Sequence, residues 1–212
     1  MAGWSTHAGR AIALPLDNID TDQLIPARFM SAPRSEGYGK YLLHDLRVDA
    51  EGAEIADFPL NRHPGASVLV AGRNFGSGSS REAAVYALVD AGITAVIAPS
   101  FGDIFASNAV NNGLLPARLP EHEVTHMIHS LGDQSAAVLI DLEAGELRIG
   151  DQSYAFALDN GWRTKLINGW DDIDLTMTHR DRIQTFQEQR FQTSRWAWPA
   201  AQDQEPPKPR AQ

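Results

Sequence analysis

The sequence predicts an α/β domain, and three features of it do the predicting. Short runs rich in Val, Ile and Ala, bounded by Gly, Pro or Asp, recur along the chain as candidate strands. Helical apolar spacing alternates with them, so neighbouring strands are expected to be joined by crossovers. A length of 212 residues, 43% hydrophobic and 21% charged, suffices for one core and falls short of two ordinary domains. A single domain over residues 1–198 is therefore expected.

In chain order, the strand candidates are residues 10–14, 67–71, 94–99, 136–140, 146–149 and 154–158. Between the second and third, Ala84, Ala87, Leu88 and Ala91 fall at i, i+3, i+4 and i+7, which predicts a helix over 80–91. Strand, glycine loop, helix and strand make a right-handed crossover. A helix over 101–110 is expected to end at Gly113, which tolerates positive φ. Another follows Pro120, and a last runs over 178–191, opened by Thr178 and Asp181 in a variant of the capping box. Residues 32–62 mix Gly, Pro, charge and aromatics without a period and read as a long loop, a length at which loops often carry function. Residues 199–212 have nothing apolar to bury and are expected to be disordered.

Composition removes several functions. The net charge of −9 opposes any general attraction to nucleic acid or an anionic membrane, so an anionic ligand must be held by a few local arginines. No apolar stretch approaches the roughly 20 residues that span a bilayer, and the start lacks a signal peptide's pattern, so a cytoplasmic location is expected. The absence of cysteine excludes disulfides, thiolate catalysis and any iron–sulfur cluster on this chain's own thiolates.

The most informative segment is GRNFGSGSSRE, residues 72–82, where a buried strand hands over to a helix. Gly76 and Gly78 permit tight backbone and close ligand approach, and a helix starting near Ser79 aims unpaired N–H groups at whatever lies before it. That chemistry suits a carboxylate. Arg81 is out of place by the helix dipole, which prefers acids in the first turn, so its guanidinium is available to clamp an anion. Ser79 lies in the same field, where a serine alkoxide can act as a base. A purely structural explanation competes: Ser79 and Glu82 also fit a capping box. The segment has no Gly-Lys-Ser/Thr ending for a phosphate loop, and Arg81 replaces the third glycine of a dinucleotide fingerprint.

The loop resembles the G-x-N-F-G-C-G-S-S-R-E-H motif of the 3-isopropylmalate dehydratase small-subunit family, counterparts of the mobile fourth domain of aconitase. NIDTDQLIP at 18–26, GYGKYLLHD at 37–45, AVIAPSFGDIF at 95–105, and Asn108, Asn112, Gly113 and Pro116 follow the family in order, over roughly residues 8–198. The resemblance implies a swivelling β/β/α domain like that fourth domain. It implies Ser79 as catalytic base, Arg81 as ligand of the substrate carboxylate and Asp22 as an acid beside them. Asn74, Ser80, Gly78 and Arg34 are implied at the substrate. It also implies a large subunit carrying a 4Fe–4S cluster, and dehydration and rehydration of a small dicarboxylic hydroxy acid, 2-isopropylmalate to 3-isopropylmalate, with no turnover by this chain alone.

Two positions depart from the family: Ser77 replaces its usual cysteine and Ala83 its usual histidine. Ser31 and Ser35 stand where the family carries cations, leaving Arg34 as the nearby positive charge. A hydro-lyase for another 2-hydroxy diacid, of citraconate or homoaconitate type, and a non-catalytic binding domain are the alternatives. By residue pattern alone, Asp20 and Asp22 also fit a turn with an N-capped short helix, and Asn108, Asn111 and Asn112 fit a helix end. A zinc hydrolase is a further reading, because His122 and His126 match H-E-x-x-H, with Glu143 or Glu146 as third ligand. At 100° per residue, however, His122, His126 and His129 share a stripe opposite Val124, Met127, Ile128 and Leu131, which turns them to solvent rather than to a cleft.

Overall fold

The computed structural model describes residues 2–79 and 81–198. The expected tail at 199–212 and the expected substrate contact Ser80 lie outside the described residues. The chain divides into two compact units, one up to Asp172 and one from Ile173 on.

In the first unit, β1 (Thr6–Leu14) is followed by α1 (Thr21–Leu24), α2 (His44–Arg47) and α3 (Pro59–Arg62). Then come β2 (Val68–Ala71), α4 (Glu82–Asp90), β3 (Ala95–Ala98), α5 (Asp103–Asn111), β4 (Leu115–Arg118) and α6 (Glu121–Leu131). A meander of β5 (Ser135–Asp141), β6 (Glu146–Ile149) and β7 (Gln152–Ala155) precedes α7 (Asn160–Asn168), and α8 (Asp172–Met177) begins at the unit's last residue. The second unit contains the rest of α8 and α9 (Arg180–Thr193). Within it, Phe191 packs edge-on against Trp198 at 6.0 Å between ring centroids.

The strands form one sheet in the order β4-β3-β2-β1-β5-β6-β7. β1 is the seam: Ala11 to Leu14 pair in parallel with Val68 to Ala71, and Thr6 to Ile12 pair antiparallel with β5. Its burial changes accordingly, alternating over the first half and complete over the last four residues. Parallel strands are covered by helices on both faces, so both faces must be apolar. On one face Ile12, Leu14, Leu69 and Val96 pack with Ala84 and Leu88 of α4 and Phe105 and Ala109 of α5. On the other, Ala13, Val68, Val70 and Ile97 meet Val124, Met127 and Leu131 of α6 and Leu166 of α7.

The expected crossover is present as β2-α4-β3. α5 ends as expected at Gly113, φ 79°, whose N–H donates to the Val110 carbonyl while that of Leu114 reaches Ala109, closing a Schellman turn. Other elements differ from expectation. β4 carries Pro116 and could not be read as a strand from its pattern; it sits at the sheet edge, where a missing N–H is tolerated. α7 has only Lys165 and Leu166 buried and so shows no apolar period, but Asp159 caps it through the Gly161 and Trp162 N–H groups. β7 lies earlier than 154–158, and residues 32–62 contain short helical turns rather than an irregular loop. The Thr178 capping box is not formed: α9 starts after His179, and the Thr178 hydroxyl donates to the Leu175 carbonyl.

Candidate active site

Beyond the ends of β1, β2 and β3, three loops continue side by side. The Asn18 N–H donates to the Arg73 carbonyl, Gly76 N–H to Ile19 at 2.7 Å and Thr21 N–H to Ser77 at 3.0 Å. These bonds extend the parallel pairing of β1 and β2 past their ends. The third loop joins through Phe75 N–H to the Ser100 carbonyl and Gly102 N–H to the Phe75 carbonyl. Ligands in sheets of this kind gather outside the carboxyl ends of the strands, and that is where this array lies.

Phe75, fully buried, anchors the glycine loop between the Phe101 and Phe105 rings, with centroids at 6.3 and 5.5 Å. Gly76, at φ 71°, passes so close that a Cβ would lie 2.2 Å from the Phe105 ring. Asn74 adopts the left-handed region at φ 59°, as does Asn18 at 56°, and their side chains join by a 3.0 Å hydrogen bond. This loop base was expected to support the site through Asn74, and its partner Asn18 was not singled out. The Ser77 backbone bridges to Asp20, so the residue replacing the family's cysteine lies in the inter-loop pairing.

From this base the loop rises to Gly78 and Ser79, both exposed. The Ser79 carbonyl accepts a 2.9 Å hydrogen bond from the hydroxyl of Thr21, a residue only 2% exposed. Ser79 is not the helix cap. α4 begins at Glu82 with Arg81 as N-cap, a donor-only side chain that makes no capping hydrogen bond, and the Glu82 carboxylate accepts from Asn112 Nδ2 at 2.9 Å. The capping-box explanation of Ser79 and Glu82 therefore fails, and the site loop ends two residues later than expected. Arg81 Nη1 donates to Asp22 Oδ1, joining the start of α4 to α1. Asp20 is the true cap of α1, accepting from Gln23 N–H while the Gln23 side chain returns to the Asp20 N–H. The two acids thus divide the labour: Asp20 opens α1 as its N-cap and Asp22 faces the arginine.

Asp22, Gly78, Ser79 and Arg81 come together on an open surface; Asn74 lies at the loop's base. Arg34 is held elsewhere along α4, its guanidinium 3.4 Å from the centre of the Tyr86 ring and 3.8 Å from the Asp90 carboxylate. Asn111 and Asn112 sit at the helix end as their pattern allowed, Asn111 accepting from the buried Lys165 ammonium at 2.7 Å. Ala83, in place of the family's histidine, packs against the core. Thr21 was the principal omission; its position between two aspartates was the available signal.

The H-E-x-x-H match lies on α6 with Val124, Met127 and Leu131 buried and His122, His126 and His129 exposed, the orientation that helical spacing predicted. Glu143 and Glu146 lie at the β5–β6 turn. Among the described residues, no group of three or more His, Cys, Asp or Glu side chains is placed to hold a metal ion.

Comparison with known proteins agrees with the geometry. Residues 1–122 match the aconitase C-terminal domain. A 3-isopropylmalate dehydratase small subunit of Bacillus subtilis (strain 168) is 42% identical over 188 residues, 87% of this chain and 94% of that protein. That of Shouchella clausii (strain KSM-K16) is 41% identical over 85% of this chain and 93% of its own length. A crystal structure of 3-isopropylmalate dehydratase (leuD) from Methanocaldococcus jannaschii DSM2661 superposes with a TM-score of 0.61 at 30% identity, covering 86% of this chain and 99% of that one.

Proposed function

The chain belongs to the family of 3-isopropylmalate dehydratase small subunits, within the aconitase C-terminal domain class, and from that premise we propose how its exposed loop serves the reaction. The protein is the small-subunit half of a hydro-lyase of leucine biosynthesis, interconverting 2-isopropylmalate and 3-isopropylmalate through an unsaturated diacid. Its partner is the large subunit of the same enzyme, and its working compartment is the cytoplasm. No helix among the described residues is long and apolar enough to cross a membrane.

The observation that carries this reading is the convergence of Asp22, Ser79 and Arg81 at the start of α4, on an open surface. Arg81 takes a substrate carboxylate: a guanidinium has five donors, so pairing with Asp22 fixes its plane and leaves N–H groups for the anion. The N-terminal N–H groups of α4, which its N-cap residue Arg81 leaves without a side-chain hydrogen bond, add positive potential to the same place. Ser79, as the alkoxide, takes the carbon-bound proton on Oγ and becomes the hydroxyl, its loop held from behind by Thr21. Gly78, at φ 93° and exposed, lets the substrate approach the backbone, and Ser80 is assigned to the substrate on the family motif alone. Asn74 keeps the loop base in register through Asn18.

A chain without cysteine has no thiolates to hold an iron–sulfur cluster, so the residues present do not fit that group and it is assigned to the large subunit. When bound there, it supplies Lewis-acid withdrawal at the substrate's hydroxyl and carboxylate.

The test is direct. The purified chain, mixed with its large subunit and reconstituted cluster, is assayed on 2-isopropylmalate and on several other 2-hydroxy diacids. Isomerisation of 2-isopropylmalate, lost in Ser79→Ala with the thermal transition unchanged, is expected. Preference for another diacid would replace the substrate, and full activity in Ser79→Ala would remove Ser79 as the base.

A further inference from the structure

Arg81 and Glu82 are consecutive residues of opposite charge, and each is drawn to a different neighbour. Arg81 pairs with Asp22 on α1, whereas Glu82 Oε1 accepts from Asn112 Nδ2, at the C-cap of α5, at 2.9 Å. Asn112 is itself fixed. Its Nδ2 also donates back to the Asn108 carbonyl at 2.9 Å, so both hydrogens of the amide are used. The Schellman turn that follows is held at Gly113, whose carbonyl accepts from Trp4 Nε1 at 3.0 Å. Asn111, the residue before, accepts from the ammonium of Lys165, a side chain only 2% exposed, and donates to Asp172 at 3.1 Å. The amide that holds Glu82 therefore stands on a turn tied to the N-terminal segment, to α7 and to the first residue of α8.

What this tether does follows from the chemistry of a helix start. The first turn of α4 attracts negative charge through its dipole and its free N–H groups. Two carboxylates can answer: that of the substrate, and that of Glu82, which is exposed and belongs to the first turn itself. A Glu82 side chain turned toward Arg81 would neutralise the guanidinium and repel an incoming diacid. We propose that Asn112 is a positioning residue for substrate binding: by holding the Glu82 carboxylate on α5, it keeps Arg81 and the start of α4 open to the substrate carboxylate. An amide suits the task, because it donates to Glu82 without adding a cation that would compete for the diacid. This rests on the functional reading above, which gives Arg81 the substrate carboxylate.

Variants of the full chain, assembled with the large subunit and reconstituted cluster, test it. Asn112→Ala is expected to raise KM for 2-isopropylmalate about tenfold with kcat within about twofold. Glu82→Gln keeps an oxygen for Asn112 and loses the charge, and is expected to leave KM within about twofold of the wild type. The double variant Asn112→Ala/Glu82→Gln is expected to regain that KM while keeping the lowered thermal transition of Asn112→Ala, a separation that a purely structural role for Asn112 does not produce. In nitrogen NMR of the full chain without its partner, the Arg81 Nε resonance is expected to move in Asn112→Ala and to return in the double variant. An unchanged KM in Asn112→Ala, a KM that stays high in the double variant, or an Arg81 resonance that does not move overturns the proposal. A wild-type complex inactive on every diacid overturns the functional reading instead, and the Arg81 resonance then still decides where the Glu82 carboxylate lies.

Discussion

Arg81 and Asp22 form an ion pair, and the proposed site is organised on it. Lysine at position 81 keeps the charge but loses the planar fork, so Arg81→Lys is expected to raise KM for the diacid by about 10- to 100-fold, read in steady-state kinetics of the assembled enzyme. Thr21 supplies a second residue-scale prediction. Thr21→Val keeps the shape of a buried side chain and removes the hydroxyl that holds the Ser79 carbonyl. A loss of about 1 kcal/mol in urea unfolding is expected, with a larger proportional fall in turnover than in stability. Arg81 was legible because an arginine at a helix start conflicts with the dipole. Thr21 was not, because a hydroxyl's role depends on which way α1 turns it.

At the scale of elements, the glycine loop is shaped by what packs behind it. Gly76→Ala places a methyl against the Phe105 ring in backbone at φ 71°, whereas Gly92, φ 86°, has open space where a Cβ would go. Gly92→Ala is expected to cost about 1 kcal/mol of backbone strain alone, and Gly76→Ala a further 1–3 kcal/mol of overpacking, measured by denaturant titration. Gly76 could be read from sequence as a turn glycine, but its packing reason could not, since Phe105 comes from a helix 29 positions on. The same limit explains the caps. Ser79 and Glu82 had the right letters for a capping box, but α4 starts only at Glu82, whose carboxylate accepts from Asn112 at the end of α5. The crossover β2-α4-β3 was legible because its apolar period is local; β4 and α7 were not, since one is a proline-bearing edge and the other buries just two residues.

For the whole molecule, protonation gives a testable stability profile. Burial lowers the His7 pKa below 6.5, so the unfolded chain binds the proton more readily and stability declines as pH falls below about 6.5. His7→Gln is expected to flatten the pH dependence of the melting temperature between pH 7 and 5. A second decline is expected lower down. Hydrogen bonding from Arg28 holds the Asp45 carboxyl at about 2 instead of 3.8, so its contribution is present above about 4 and lost as pH falls toward 2. Asp172, lowered by the Lys165 ammonium, acts with the same sign. Both acids are more than half exposed, so this second step is small. Sequence by itself determined the α/β class, the crossover, the glycine loop, the solvent-facing histidines of α6 and the family, because each is written in spacing or in an ordered set of motifs. Tertiary structure alone decided that Asp22 pairs with Arg81, that Thr21 backs Ser79, and that Asp90 lies against Arg34. Those are contacts between segments distant along the chain, and their partners are chosen by the packing of β1, β2 and α4, which no local pattern encodes.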